Sequence, residues 1–167
     1  ELIAGLRKSS AENFSYATPG IGTLQHFYGA LINKQAKVQM LHIPYRGGAQ
    51  IASDVIGGQV DLAMVVSVSA TPHVLAGRMK ALAVTGNKRL AQLPNVPTLE
   101  ETPMFKGLDV QSWTGVFAPA RTPSAIVERL NSEINAVLQL DDVRGKLAEG
   151  GAAVGQMSTA AFGQFVR

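Results

Sequence analysis

The sequence of 167 residues contains no cysteine and no long apolar run. Without cysteine the chain has no disulfide bond, thiolate nucleophile or cysteine-ligated zinc site. A transmembrane helix needs roughly 18 consecutive apolar residues, and because no segment approaches that length we expect no membrane-embedded segment. Lysine and arginine are scattered and never form the aromatic-interleaved stripe typical of nucleic-acid binders. The net charge of +3 therefore suits a small anionic ligand, and we expect no nucleic acid partner.

Residues that carry common enzyme chemistry are also sparse. His26, His42 and His73 are widely spaced and share no metal-ligand pattern. Ser67 follows an apolar segment without the Gly-x-Ser-x-Gly motif of an α/β-hydrolase, and no pair of carboxylates indicates acid–base catalysis. We therefore predict no catalysis, no metal and no cofactor; activity lost on mutating Ser67 or His26 would revive an enzyme as a distant alternative. His26 is kept as a candidate because it lies one turn past a glycine-rich loop.

Residues 14–26 have the pattern of a short strand, a glycine-rich turn and a helix. In this geometry unpaired backbone N–H groups meet at the positive end of a helix, where anions bind. Glycines would let a ligand approach the backbone closely, and threonine hydroxyls would add donors. A tight loop that holds only water stays open as the alternative, because short glycine motifs occur by chance. The candidate ligand loop consists of Thr18, Pro19, Gly20, Gly22 and Thr23.

A second strand-to-helix loop follows the strand predicted at residues 38–45. Tyr45, Arg46 and Gly47 offer an aromatic face, a cation that holds a carboxylate through two hydrogen bonds, and exposed N–H groups. An ordinary turn with a solvated arginine is the alternative. A third candidate, Ser67, follows the next apolar strand. In a parallel sheet the three loops would lie at the same edge, which favours one shared anion site.

The order of predicted elements indicates an α/β fold with a mainly parallel sheet flanked by helices, followed by a C-terminal helical segment. Glu1 stands within the first helix pattern and no signal peptide is present, so we expect that Glu1 is not the native start. The predicted strands are residues 14–17, 38–45, 60–66, 80–85 and 110–117. The predicted helices are residues 1–8, 23–35, 49–56, 71–76, a short one capped by Thr98, one opened by Pro123, 141–149 and one capped by Ser158.

Seven segments share their order and spacing with one known family. They are Tyr-Ala-Thr-Pro-Gly-Ile-Gly-Thr-Leu-Gln-His (16–26), Ile-Pro-Tyr-Arg-Gly-Gly-Ala (43–49), Ile-Gly-Gly-Gln-Val-Asp-Leu (56–62), Lys-Ala-Leu-Ala-Val-Thr (80–85), Leu-Pro-Asn-Val-Pro-Thr (93–98), Trp-Thr-Gly-Val-Phe-Ala-Pro-Ala (113–120) and Arg-Leu-Asn-Ser-Glu-Ile-Asn (129–135). With them the chain resembles, over nearly its whole length, the Bug-type solute receptors. These are the extracytoplasmic binding proteins of tripartite tricarboxylate transporters.

This resemblance implies a type II periplasmic-binding-protein fold, in which two α/β lobes close on a carboxylate, and it implies neither catalysis nor a cofactor. Residues 1–118 would be the second, ligand-binding lobe, and residues 119–167 would be helices that complete the first lobe, the rest of which is missing here. A periplasmic location follows from the same resemblance, as do the membrane components of a tripartite transporter as partners. The residues that correspond to the family's ligand loops are Thr18, Gly20, Gly22, Thr23, Tyr45 and Arg46.

One departure from the family pattern concerns the ligand. Many relatives have a polar or acidic pair after the third strand, where this chain has Val65 and Val66, which favours a plain organic acid over an amino-bearing ligand. The alternative function from another class is the ligand-sensing effector domain of a regulator or sensor with the same fold. A helix-turn-helix upstream of Glu1 would decide for the regulator, and a signal peptide for the receptor.

Overall fold

The computed structural model of the protein describes residues 2–8, 14–108, 110 and 112–167. The chain forms two compact units, Glu1–Ser112 and Trp113–Arg167, called here the first and the second unit. The predicted lobe assignment of residues 1–118 and 119–167 stays a prediction. None of the helices within the described residues is both long and apolar enough to cross a membrane.

The first unit is a three-stranded parallel sheet with helices on both faces. The strand order is β2-β1-β3, and β1 pairs in parallel with both neighbours, as predicted for an α/β fold. Its elements are α1 (Leu2–Lys8), β1 (Ser15–Thr18), α2 (Leu24–Ala36), β2 (Leu41–Pro44), α3 (Gly48–Ile56), β3 (Leu62–Ala63), α4 (Ser67–Leu75) and two 3-10 helices, Leu99–Glu101 and Pro103–Phe105.

Two buried clusters lie on opposite sides of β1, because successive strand residues point to opposite faces. Tyr16 packs into the cluster that contains Leu6, Ile32 and Phe105. Ala17 packs with Ile51 and Val60 on the other face. The central strand is therefore covered on both sides, which explains why Tyr16, Ala17 and Thr18 are all buried.

Helix boundaries follow local capping signals. Thr23 caps α2 by accepting a hydrogen bond from the His26 N–H at 3.2 Å, and the helix ends where Lys37 takes a left-handed conformation, with φ at 55°. Thr98 and Glu101 form the reciprocal pair of a capping box around the first 3-10 helix, which confirms the predicted cap at Thr98.

Two predicted strands are wrong. Residues 80–85 form only one isolated bridge, between Val84 and Thr98, and residues 110 and 112–117 are irregular. Both segments have apolar composition, but a strand also needs a neighbour to receive its backbone hydrogen bonds. For the same reason the strand predicted at 60–66 shrinks to Leu62–Ala63. The helix after it, α4, begins at Ser67 instead of near Thr71. Residues 9–13, predicted as a polar link, lie outside the described residues.

The second unit contains three helices, α5 (Ser124–Val137), α6 (Asp141–Glu149) and α7 (Thr159–Phe165). The predicted bounds of α6 and the predicted cap of α7 are confirmed, since Ser158 Oγ accepts a hydrogen bond from the Ala161 N–H at 3.1 Å. Pro123 stands just before α5 instead of at its first position. Aromatic contacts join this unit internally: Trp113 lies edge-to-face against Phe162 and Phe165.

Candidate ligand-binding site

The three candidate loops leave the sheet at one edge. The Tyr45 N–H donates to the Thr18 carbonyl at 2.9 Å, and the Met64 N–H donates to the Ala17 carbonyl at 2.9 Å. The parallel register therefore continues to the carboxyl end of each strand, where the chain turns into α2, α3 and α4. Because each helix starts at this edge, the positive ends of three helix dipoles are directed there.

Positive φ angles at two glycines shape the loop of residues 18–23. Gly20 has φ of 147° and Gly22 has φ of 82°, which side chains rarely adopt. Hydroxyl groups brace the turn: Thr23 Oγ1 donates to the Gly20 carbonyl at 2.7 Å, and the Gly20 N–H donates to Thr18 Oγ1 at 3.3 Å. A hydroxyl has one hydrogen to donate. In this conformation the Thr23 hydrogen is therefore used within the loop, and the donors left for a ligand are backbone N–H groups.

The second and third loops begin their helices without a side-chain cap. Neither Gly47 nor Val66, both within the described part of the chain, supplies a cap to α3 or α4, so first-turn N–H groups stay free of a side-chain acceptor. The two helix starts lie close together, since a Cβ on Gly48 would be 2.6 Å from Ser69 Oγ. Ser67, predicted as a site residue, is the first residue of α4 and is partly exposed at this edge.

The side chain of Tyr45 is held by a hydrogen bond within the described part of the protein, and the side chain of Arg46 is not. The Tyr45 hydroxyl donates to Asp54 Oδ2 at 2.8 Å, and this hydrogen bond raises the pKa of Tyr45. Asp54, on α3, thus orients the aromatic ring. Arg46 is exposed and makes no hydrogen bond or ion pair with any residue that the structure describes. Its guanidinium is therefore available to a carboxylate.

The sequence indicated His26 as a candidate beside the loop but did not reveal that it pairs with His42. The rings of His26 and His42 stack with centroids 4.3 Å apart, and Thr18 Oγ1 lies 2.6 Å from His42 Nε2. Burial and the neighbouring His26 lower the pKa of His42. The available signal was the strand register, because His42 pairs with Tyr16 on β1, but that register is visible only once β1 and β2 are aligned.

The described residues do not form a candidate metal site. No group of three or more His, Asp or Glu side chains within the described residues could hold a metal ion. The geometry instead offers an exposed guanidinium and three helix N-termini, groups that donate hydrogen bonds to anions in proteins.

Comparisons with known proteins show which family the chain belongs to. The profile of the tripartite tricarboxylate transporter family receptor, TctC, matches residues 1–167. The chain is 43% identical over 144 residues to the UPF0065 protein in the tcbD-tcbE intergenic region of Pseudomonas sp. (strain P51), which covers 84% of this chain and 43% of that protein. It is 28% identical over 151 residues to Protein BugT of Bordetella pertussis (strain Tohama I), which covers 90% of this chain and 46% of that protein.

Solved structures give the same result. The periplasmic binding protein BugD superposes with a TM-score of 0.88 at 30% identity, over 99% of this chain and 55% of its own. MatC (Rpa3494) from Rhodopseudomonas palustris with bound malate gives a TM-score of 0.87 at 29% identity, over 99% of this chain and 56% of its own. The chain thus spans about half the length of these proteins. The likeness confirms the predicted periplasmic-binding-protein type of fold.

The family is one of receptors and not of enzymes, in agreement with the absence of catalysis that the sequence predicts. Its sequence pattern extends over all 167 residues and is accompanied by the fold of solved periplasmic binding proteins. The chain belongs to the tripartite tricarboxylate transporter family of receptors.

Proposed function

We propose that this chain is the ligand-binding lobe of an extracytoplasmic receptor that captures a small carboxylate for a tripartite tricarboxylate-type transporter. The observation that carries the proposal is the convergence of three helix N-termini on one sheet edge beside the unpaired guanidinium of Arg46. Backbone N–H groups and a guanidinium are the donors that recognise a carboxylate. The proposed ligand-binding residues are Thr18, Pro19, Gly20, Gly22, Thr23, Tyr45, Arg46, Gly47 and Ser67.

Two structural relatives support a carboxylate as the ligand. MatC holds malate, and Rpa4515 of R. palustris, at 30% identity and a TM-score of 0.86 over 99% of this chain and 55% of its own, holds adipate. Both ligands are dicarboxylates without an amino group. The valines at positions 65 and 66 agree with such a ligand, because neither side chain could accept a hydrogen bond from an ammonium group.

The extent of the chain supports a role as one lobe of a larger receptor. Its structural relatives are nearly twice as long, and residues 119–167 leave large hydrophobic side chains exposed, Phe165 at 51% among them. We infer that residues 1–118 form the second lobe and that residues 119–167 pack into the first. In this arrangement the ligand is held when the lobes close, in the periplasm and in reach of the transporter's membrane components.

Thermal unfolding of the full-length protein with a panel of mono-, di- and tricarboxylates tests the proposal. A ligand at one hundred times its Kd stabilises the folded state by about 2.7 kcal/mol, which raises Tm by roughly 5 to 10 °C. Absence of any shift across the whole panel would refute carboxylate capture.

Replacement of Arg46 locates the site. We expect Arg46→Gln to weaken binding of the stabilising carboxylate by roughly tenfold to a hundredfold, because it removes a hydrogen-bonding cation. Arg78→Gln is the matched control, since Arg78 is exposed at the far end of α4. Equal affinities of the two variants would place the ligand elsewhere.

A further inference from the structure

Two histidines far apart in the sequence lie against each other beside the ligand loop. The rings of His26 and His42, called here the histidine pair, stack with their planes 23° apart. Nδ1 of His26 accepts a hydrogen bond from the Gly22 N–H at 3.3 Å, and Nε2 of His42 lies 2.6 Å from Thr18 Oγ1. The pair therefore ties both ends of residues 18–22 to the helix and strand behind them.

The hydrogen bond from Gly22 requires one protonation state of His26. A backbone N–H donates only to an unprotonated ring nitrogen, so a neutral His26 carries its proton on Nε2. Protonation of Nδ1 would set two N–H groups against each other and remove the bond. It would also place a cation at the N-terminus of α2, where the helix dipole disfavours positive charge. The loop geometry and the neutral ring thus depend on each other.

The position of His42 disfavours a second proton on the pair. Two imidazolium rings at a centroid distance of 4.3 Å repel each other, and burial together with His26 lowers the pKa of His42. The contact between His42 and Thr18 can persist in either protonation state, because a hydroxyl both donates and accepts. Protonation of His26 on Nδ1 therefore breaks the bond to Gly22, while the contact between His42 and Thr18 persists.

The groups around the pair provide no compensating negative charge. From β1, Tyr16 places its ring centroid 4.9 Å from that of His42, and burial raises the pKa of Tyr16, which stays neutral in mild acid. Lys34 and Lys37 line the same groove as His42 and are both cationic. Within the described residues, no carboxylate forms an ion pair with either imidazole.

We propose that His26 and His42 are positioning residues of the ligand loop and make carboxylate capture weaker in mild acid. The binding part of this inference rests on the proposed function. Mild acid is the range in which imidazole side chains generally take up a proton. A proton on Nδ1 of His26 frees Gly22 from this ring and withdraws the loop N–H groups from the arrangement that receives a carboxylate.

The first test needs no ligand and follows the Gly22 amide by NMR in the full-length protein. We expect its resonance to shift between about pH 7.5 and 5.5 in the natural protein, because the acceptor is lost in this range. In His26→Gln the side-chain oxygen accepts at either pH, so the Gly22 resonance should stay constant. His73→Gln, on α4 and outside the pair, is the control that keeps the natural titration. A Gly22 resonance that does not titrate, or that titrates equally in His26→Gln, overturns the proposal.

The second test measures malate binding by calorimetry at the same two pH values. We expect the affinity of the natural protein to fall about tenfold on acidification, and that of His26→Gln to fall by less than about twofold beyond any change in malate itself. The natural protein and His26→Gln are measured with the same ligand, so the effect of malate protonation on affinity is the same for both and cancels in the comparison. His26→Ala, which has no acceptor, should bind weakly at both pH values.

The two tests separate the two proposals. An affinity of the natural protein that holds or rises relative to His26→Gln overturns the role of the pair. If neither malate nor adipate binds at pH 7.5, the proposed function fails for these ligands, and the Gly22 titration still decides whether the pair controls the loop.

Discussion

The two units bury their hydrophobic side chains to very different extents. In the first unit, Tyr16, Ile51 and Phe105 are at most 2% exposed. In the second unit, residues 113–167, only Gly150 is buried, while Ile126 and Leu130 of α5 are about half exposed. Burial of apolar surface is the main stabilising contribution to a fold. The first unit therefore carries its own core, and the second has helices whose apolar faces still need a partner.

Truncation of a core residue provides the strongest test of this contrast. Ile51 of α3 is 0% exposed and packs against Ala17 of β1. We expect Ile51→Ala to lower the free energy of unfolding by about 2 to 5 kcal/mol, because it removes buried methyl groups and leaves a cavity. Ile126→Ala, in a side chain that is 51% exposed, should cost no more than about 0.5 kcal/mol. Urea unfolding of the 167-residue chain measures both. Similar losses would mean that the second unit has a core comparable to the first.

Adding a methyl group to a helix glycine should have opposite effects in the two units. A Cβ on Gly29 of α2 would lie 2.1 Å from Cε2 of the buried Tyr16 ring, so we expect Gly29→Ala to destabilise the chain by about 1 to 3 kcal/mol. Gly145 of α6 has no atom within 4 Å of such a Cβ, and Gly145→Ala should stabilise by about 0.5 to 1 kcal/mol through helix propensity. Thermal unfolding of both variants shows whether each substitution raises or lowers the stability. A stabilising Gly29→Ala would show that α2 packs less closely on the sheet.

The smallest predicted change in stability comes from removing an ion pair, and it should differ between the two units. Arg89 donates two hydrogen bonds to Glu101, at 2.8 and 2.6 Å, and this pairing lowers the pKa of Glu101 to about 2. A carboxyl whose pKa is lowered on folding stabilises the protein above its ordinary pKa of 4.5, and the contribution is lost as the pH falls through about 2. Glu101→Gln should therefore be less stable than the natural chain at pH 7 and converge with it in strong acid.

Glu133→Gln is the matched variant in the second unit. Glu133 accepts a single hydrogen bond from Arg129 one turn away, at 2.7 Å, and both side chains are well exposed. We expect a smaller loss at pH 7 than for Glu101→Gln, because exposed pairs within one helix contribute little. Unfolding of both variants from pH 2 to 7 makes the comparison. A Glu101→Gln deficit that persists at pH 2 would show that another role of the side chain is responsible.

Sequence patterns were sufficient where structure depends on neighbours in the chain. The bounds of α6 and the caps at Thr98 and Ser158 follow from residues within a few positions of one another. The strands predicted at 80–85 and 110–117 required distant pairing partners, which composition cannot reveal. The parallel direction of β1, β2 and β3 could be predicted because each is followed by a helix, but their order in the sheet could not.

The candidate site was predictable in its position and less so in its chemistry. The loops at Thr18 and Arg46 could be assigned to one sheet edge from the strand–helix order. The internal use of the Thr23 hydroxyl and the stacking of His26 on His42 depend on side-chain directions set by the β1–β2 register. A side chain's available donors are fixed by tertiary packing, which a motif does not contain.

The central position of β1 also bears on how the protein is made. β1 is the first of the three strands to leave the ribosome, yet its partners are Leu41–Pro44 and, later still, Leu62–Ala63. Parallel pairing across long connections is slow, because loop closure precedes the contacts that stabilise it. During synthesis β1 therefore remains unpaired on both edges until β2 and then β3 emerge. A nascent chain halted before Leu41 should thus be the form that chaperones bind most strongly.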